Sequence, residues 1–199
     1  MISCKEYAEI KKAELKEKIA ELGFTPKLAV IQVGDNPASN SYIAGKKKDC
    51  EEVGIELVHL VYPKDISQNE LIAEVAYFCS LPYNTGLIVQ LPLPDHINVK
   101  EIQKHIWKTK DVDGFHPSSF FDPCTPLGII NYLKYNDYEF EGKNALVIGR
   151  SDIVGKPLAR MLTDLDCTVT LAHSKTYNLS DHTCTADILF TCIDKIGYF

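Results

Sequence analysis

Apolar positions recur at helical spacing from about Tyr7 to Leu22, and Gly23 closes the run. A short apolar run, Leu28–Val33, follows and stops at Gly34, as a buried strand would. Asn36-Pro37 then offers a helix N-cap with proline in the first turn, and that helix continues to about Val53 and stops at Gly54. The same reading predicts a strand at Ile55–Val61, a helix at Gln68–Ser80, a strand at Gly86–Gln90 and a short helix at Val99–Trp107. Lys110–Thr125, with its Gly, Pro and aromatic residues, breaks the pattern and reads as a connection. Pro126–Tyr135 is a linking helix between lobes. A second alternating stretch follows: strand Ala145–Ile148, helix Gly155–Leu165, and strands Thr168–Ala172 and Asp187–Cys192.

Strands alternating with helices imply an α/β fold with two lobes, each a mostly parallel sheet flanked by helices. The expected division is 1–117 for the first lobe, 118–136 for the connection and linking helix, and 137–199 for the second lobe. A chain of 199 residues can form one large domain or two small ones.

Composition narrows the function classes. The net charge is -6, and lysines and arginines are scattered, so a nucleic-acid-binding surface is not expected. The one basic run, Lys46-Lys47-Lys48, has the ordinary reading of a solvated helix face. There are seven cysteines and no C-x-x-C, which fits reduced thiols in the cytosol and gives zinc or dithiol chemistry little support. No metal site is expected. Met1–Ile10 is too polar for a signal peptide, and no apolar run reaches the roughly 18 residues of a membrane helix. The expectation is a soluble, cytoplasmic protein without membrane partners.

The most informative segment is Gly149-Arg150-Ser151-Asp152-Ile153-Val154-Gly155, which leaves a strand and opens a helix. Glycines there allow a tight turn and close approach of backbone to phosphate, and the helix N-terminus offers N–H groups and a favourable dipole. Ser151 holds the place of the second glycine in G-x-G-x-x-G. The second lobe is therefore Rossmann-like. In NAD sites an acidic residue about 20 positions on binds the ribose 2′-hydroxyl. Here that place reads Ala172-His173-Ser174-Lys175-Thr176, without a carboxylate. Arg150, Ser174 and Lys175 are placed to receive a 2′-phosphate, which favours NADP over NAD. An ordinary polar loop is the alternative.

In the first lobe, Tyr42 and Lys46 lie four apart and share a helix face. A lysine can act as acid or base where its surroundings favour the neutral form. Gly45 between them costs about 1 kcal/mol in a helix interior, so a ligand or backbone passing close would explain it. Gln90 ends the Gly86–Gln90 strand, on the edge where ligands bind in parallel sheets and from which the Tyr42 helix starts. That places Gln90 within reach of Lys46. Asp113 lies in the connection, as a turn residue or a ligand.

Taken together and in order, VGDNPASNSYIAGK, GLIVQLPLP, KDVDGF, PCTPLG, GRSDIVGKPLA and TVTLAHSKT resemble the bifunctional methylenetetrahydrofolate dehydrogenase/cyclohydrolase (FolD) family over nearly the whole chain. The resemblance implies folate on the first lobe, NADP on the second, a cleft between them, and a homodimer. It implies Lys46 as the catalytic acid/base, with Tyr42, Gln90 and Asp113 as its catalytic companions. Tyr42 would pack on the folate, Gln90 would position Lys46, and Asp113 would hold the pterin. Val89 and Leu91 complete the implied substrate contacts. Gly149, Arg150, Ser151, Val154, Gly155 and Ser174 would contact NADP. The implied reactions are oxidation of 5,10-methylenetetrahydrofolate to the methenyl cation and hydrolysis of that cation to 10-formyltetrahydrofolate.

Three features depart from the family pattern. The chain stops at Phe199, before members usually end, so the second lobe is expected to be incomplete. The His116–Cys124 stretch is short, and Asp194-Lys195-Ile196 stands where a Gly-Lys-Pro turn is typical. Two alternatives therefore remain open. One is a truncated homologue that binds folate, nucleotide or a partner chain without full catalysis. The other is a different two-lobed dehydrogenase, acting on amino acids or shikimate-like acids.

Overall fold

The computed structural model describes residues 1–193, so the Asp194-Lys195-Ile196 turn lies outside the described residues. The chain divides into two compact units, one of residues Ile2–Phe121 and one beginning at Asp122.

The first unit runs α1 (Cys4–Ala20), β1 (Lys27–Val33), α2 (Pro37–Val53), β2 (Glu56–Tyr62), α3 (Gln68–Ser80), β3 (Gly86–Val89) and α4 (Val99–His105). The helix boundaries follow from local chemistry. The Asn36 side chain accepts the N–H groups of Ala38 and Ser39 at the start of α2, and Gly54 ends it at φ 91°. Ser67 and Glu70 form a capping box at α3. Ser3 and Glu6 do the same for α1, which is why that helix begins at Cys4, ahead of its first periodic apolar residue. Helix α1 buries no residue. Lys12 ties it to α2 through Asp49 (2.8 Å) and Glu52 (3.0 Å).

The three strands are parallel in the order β2-β1-β3. Both faces of β1 are covered, so its apolar run does not alternate. Ala29, Ile31 and Val33 pack with Leu71, Val75 and Ile102 of α3 and α4, while Val30 and Ile88 pack on Ile43 of α2. The chain turns to opposite sides of β1 to form β2 and β3. That reversal opens a crevice at the carboxyl ends of β1 and β3. Beyond α4, Lys110 and Asp111 lie alongside β3, with Leu87 donating its N–H to the Lys110 carbonyl (2.7 Å) and bridging Asp111 in parallel. Gly86 makes this close approach feasible, because a Cβ there would sit 2.6 Å from Val112 Cγ1.

The second unit contains α5 (Cys124–Tyr135), β4 (Asn144–Ile148), α6 (Gly155–Thr163), β5 (Thr168–Ala172), α7 (Leu179–Cys184) and β6 (Ile188–Thr191). Its sheet is also parallel, in the order β5-β4-β6, and again reverses at the central strand. Helix α5 packs on α6, and its Ile130 joins Ala145, Val147, Leu158, Leu162 and Phe190 in the core. On the other face Leu146, Ile148 and Ala172 meet Leu179 and Ala186. Helix α7 is an addition to the sequence reading, which passes straight from β5 to the next strand. Its six residues, LSDHTC, are mostly polar, none is buried and no side chain caps it, so periodicity carries no trace of it. Among the described residues no helix is long and apolar enough to cross a membrane. Also among them, no group of three or more His, Cys, Asp or Glu side chains is placed to hold a metal ion.

Candidate functional site

In the first unit the crevice brings Lys46 and Gln90 into contact. Strand β3 delivers Gln90, whose backbone N–H donates to the Ile31 carbonyl (2.8 Å). The Gln90 side-chain nitrogen donates to the Leu91 carbonyl (2.9 Å), which turns its oxygen outward. Lys46 Nζ donates to that oxygen at 3.1 Å. Buried Ser39, two helical turns before Lys46, donates its hydroxyl to the same Leu91 carbonyl (3.3 Å) and fixes it from the other side. The basic run is therefore not uniform. Lys46 is half-buried against Gln90, whereas Lys47 and Lys48 are exposed as a solvated helix face would be.

Tyr42 lies one turn before Lys46 and is 69% exposed, so its ring faces outward without being used by the core. A Cβ added at Gly45 would find nothing within 4 Å, so no protein backbone explains that glycine. Val89, Leu91 and Asp113 line a different part of the unit. They border a small, mostly apolar pocket with Leu87, Ile102 and Phe115. Leu91 thus belongs to both groups, through its carbonyl on the Gln90 side and as part of the pocket lining.

The sequence reading passes over Asp111, which the fold buries completely. Its two carboxylate oxygens accept the N–H groups of Phe115 (3.3 Å) and His116 (2.8 Å). An Asp-x-Asp-Gly string holds two carboxylates, and nothing local says which one turns inward. The packing of Lys110 and Asp111 along β3 decides it.

In the second unit the turn from Gly149 to Gly155 is as tight as its glycines predict. Gly149 has φ 116° and donates its N–H to the Ala172 carbonyl (2.9 Å). A Cβ at Gly149 would meet the Cys192 carbonyl oxygen at 2.4 Å, and one at Gly155 would meet the Gly149 oxygen at 2.0 Å. Ser151 does more than replace a glycine. Its hydroxyl accepts the N–H groups of Val154 (3.2 Å) and Gly155 (3.3 Å), and its carbonyl accepts that of Lys156 (3.1 Å). These amides hold the turn together, so they are not the open donors expected of a bare helix N-terminus. Arg150, Ser151 and Ser174 are exposed. After β5, His173 N–H donates to Thr176 Oγ1 (2.8 Å), and Lys175 N–H donates to His173 Nδ1 (3.1 Å), which shapes a short loop without a carboxylate. Lys156 is paired with Asp152 at 2.6 Å. A cradle that a Cβ would fill, beside a guanidinium and a serine with no acid in the strand-end loop, fits a dinucleotide carrying a 2′-phosphate.

Two family models match the chain. "Tetrahydrofolate dehydrogenase/cyclohydrolase, catalytic domain" covers residues 2–113, and the corresponding "NAD(P)-binding domain" covers residues 123–198. The chain belongs to the tetrahydrofolate dehydrogenase/cyclohydrolase family. Bifunctional protein FolD of Bacillus thuringiensis is 44% identical over 207 aligned residues, spanning 98% of this chain and 72% of that protein. The crystal structure of the FolD methylenetetrahydrofolate dehydrogenase/cyclohydrolase from Campylobacter jejuni superposes with a TM-score of 0.92 at 43% identity, over 94% of this chain and 71% of that one. The Trypanosoma brucei enzyme, solved with NADP cofactor and inhibitor, gives a TM-score of 0.92 at 28% identity, over 98% and 72% of the two chains. This chain therefore carries FolD-type catalytic and NAD(P)-binding domains of a bifunctional dehydrogenase/cyclohydrolase. Tyr42, Lys46, Gln90 and Asp113 fall in the catalytic-domain match, and Gly149 through Gly155 and Ser174 in the NAD(P)-binding match.

Proposed function

We propose that this protein oxidises 5,10-methylenetetrahydrofolate with NADP and hydrolyses the resulting methenyl cation to 10-formyltetrahydrofolate, with Lys46 as the proton-handling group of the hydrolysis. The observation that carries this reading is the 3.1 Å contact from Lys46 Nζ to Gln90 Oε1, at the carboxyl edge of a parallel sheet. NADP, when bound, supplies the acceptor for the hydride lost from the methylene carbon. Gly149 and Gly155 let backbone approach its phosphates, Ser151 and Val154 shape the turn, and Arg150 with Ser174 takes the 2′-phosphate.

On the folate side, the chain's residues bind and move protons. Asp113 accepts paired N–H bonds from the aminopyrimidinone ring, and Val89 and Leu91 offer apolar contact. Tyr42 presents an exposed aromatic face to the substrate. In the hydrolysis, water forms the new carbon–oxygen bond, the bond from that carbon to N5 breaks as the formyl C=O forms, one water proton passes to N5 and the other is released to solvent. Lys46 carries the proton to N5, and Gln90 fixes where its nitrogen stands. A lysine free to rotate would lose this placement.

The assay follows methenyltetrahydrofolate absorbance with NADP, with NAD and with neither. Turnover that prefers NADP, followed by decay to the formyl product, is expected. A folded sample that binds folate by calorimetry but turns over neither substrate overturns the catalytic reading. The protein is further proposed to act in the cytoplasm as a homodimer. Seven cysteines with no C-x-x-C among them support the reducing compartment. Light scattering of the purified protein tests the dimer.

A further inference from the structure

We propose that Asp111 is a positioning residue for Asp113: its buried carboxylate holds the loop that presents Asp113 to the substrate. The inference rests on the substrate role proposed for Asp113. Four observations carry it. First, Asp111 is fully inaccessible, although an uncompensated buried carboxylate is costly. Second, both its oxygens accept backbone N–H groups, those of Phe115 and His116, which lie just beyond Asp113. Third, its own backbone is anchored before Asp113. The Asp111 N–H donates to the Trp107 carbonyl (3.0 Å), and the segment bridges β3 at Leu87. Fourth, its carbonyl accepts the Gly114 N–H (3.4 Å) and the Ser119 hydroxyl (3.4 Å).

Asp113 therefore stands at the middle of a short loop closed on both sides through one residue. The stem is fixed to the sheet, and the return is fixed to the Asp111 carboxylate. Gly114, at φ 71°, supplies the left-handed step that lets the chain turn back so soon after Asp113. The carboxylate side chain offers an acceptor oxygen to each of the two amide donors. An asparagine offers one oxygen and presents an N–H group to the other donor. Phe115 and Asp113 both border the same small apolar pocket, so a loop shift of this kind moves a wall of that pocket together with the carboxylate.

The test compares Asp111→Asn, Asp113→Ala and the double variant in the dehydrogenase assay, with folate and NADP varied in turn. Asp111→Asn should raise the KM for 5,10-methylenetetrahydrofolate about tenfold, the loss expected when a buried donor is left unpaired. The KM for NADP should stay unchanged. The double variant should be no worse than Asp113→Ala, because a positioning residue has nothing left to position. Unchanged folate KM in Asp111→Asn, or effects that multiply in the double variant, overturns the proposal. Unchanged folate KM in Asp113→Ala refutes the substrate reading itself and this inference with it. The two failures are thus distinct. If Asp111→Asn does not fold, His116→Pro decides. It removes the N–H that the Asp111 carboxylate accepts at 2.8 Å while keeping Asp111 itself, and a folded His116→Pro with ordinary folate KM overturns the proposal.

Discussion

Replacing Gly155 with alanine places one methyl group where the structure leaves no room. The new Cβ would lie 2.0 Å from the Gly149 oxygen, 2.6 Å from the Gly149 carbonyl carbon and 3.1 Å from the Arg150 nitrogen. A non-bonded carbon and oxygen need about 3.3 Å, so the turn must open by more than ~1 Å. The obstacle is backbone, which cannot swing aside as a flexible side chain would. Overpacking of this kind costs about 1–3 kcal/mol, and a backbone obstacle puts Gly155→Ala near 3 kcal/mol. In a unit this small that corresponds to a fall in Tm of about 10–20 °C. Opening the turn also strains the bonds from Val154 and Gly155 to the Ser151 hydroxyl, which set the phosphate cradle. The KM for NADP should therefore rise at least about tenfold. Calorimetric melting and NADP titration at saturating folate provide the readouts. Hydrolysis of methenyltetrahydrofolate, assayed cold and without NADP, should persist, since Lys46 and Gln90 belong to the other unit. A variant with ordinary melting and ordinary NADP KM would refute the steric reasoning.

Gly45→Ala is the opposite case, because a Cβ there meets nothing within 4 Å. It should stabilise α2 by about 0.5–1 kcal/mol, read from urea melts, and a less stable variant would contradict this. Lys46→Ala should slow hydrolysis of methenyltetrahydrofolate by about 10²–10⁴-fold, and hydrolysis at the ordinary rate would refute its role. Ser174→Asp puts a carboxylate in the acid-free loop after β5. It should raise the NADP KM about tenfold or more and leave that for NAD equal or lower, and an unchanged ratio of the two would count against the assigned 2′-phosphate site. Burial pushes the Cys50, Cys79, Cys167 and Cys192 thiols up, and burial with the Glu74 contact does the same to Tyr62. The folded state then holds these protons more tightly than the unfolded chain. The stability they contribute is intact below the ordinary thiol value of 9.0 and is lost as pH rises above it. Urea midpoints under reducing conditions should therefore fall between pH 8 and pH 10 (about the thiol range), and a flat profile would contradict this.

The sequence by itself determined what local chemistry controls. Asn36-Pro37 and Gly54 bound α2, and Leu28–Val33 had to be a strand buried on both faces. Gly149 and Gly155 marked a turn that no other residue could make, and the cradle was legible for that reason. Tyr42 and Lys46 had to share a helix face. Tertiary structure decided whatever depends on partners distant in the chain. Lys46 parted from Lys47 and Lys48 because β3 brought Gln90 beside it, 44 residues on. Asp111, not Asp113, turned inward because the chain packed alongside Leu87. Ser151 became the acceptor that closes the nucleotide turn, where the sequence showed only a missing glycine. Helix α7 formed over a segment with no apolar period, covering Leu146 and Ile148 only through Leu179. Propensity and periodicity act over a few residues. The direction in which a polar side chain points is set by whichever strand the fold lays beside it, and that neighbour is invisible in the string.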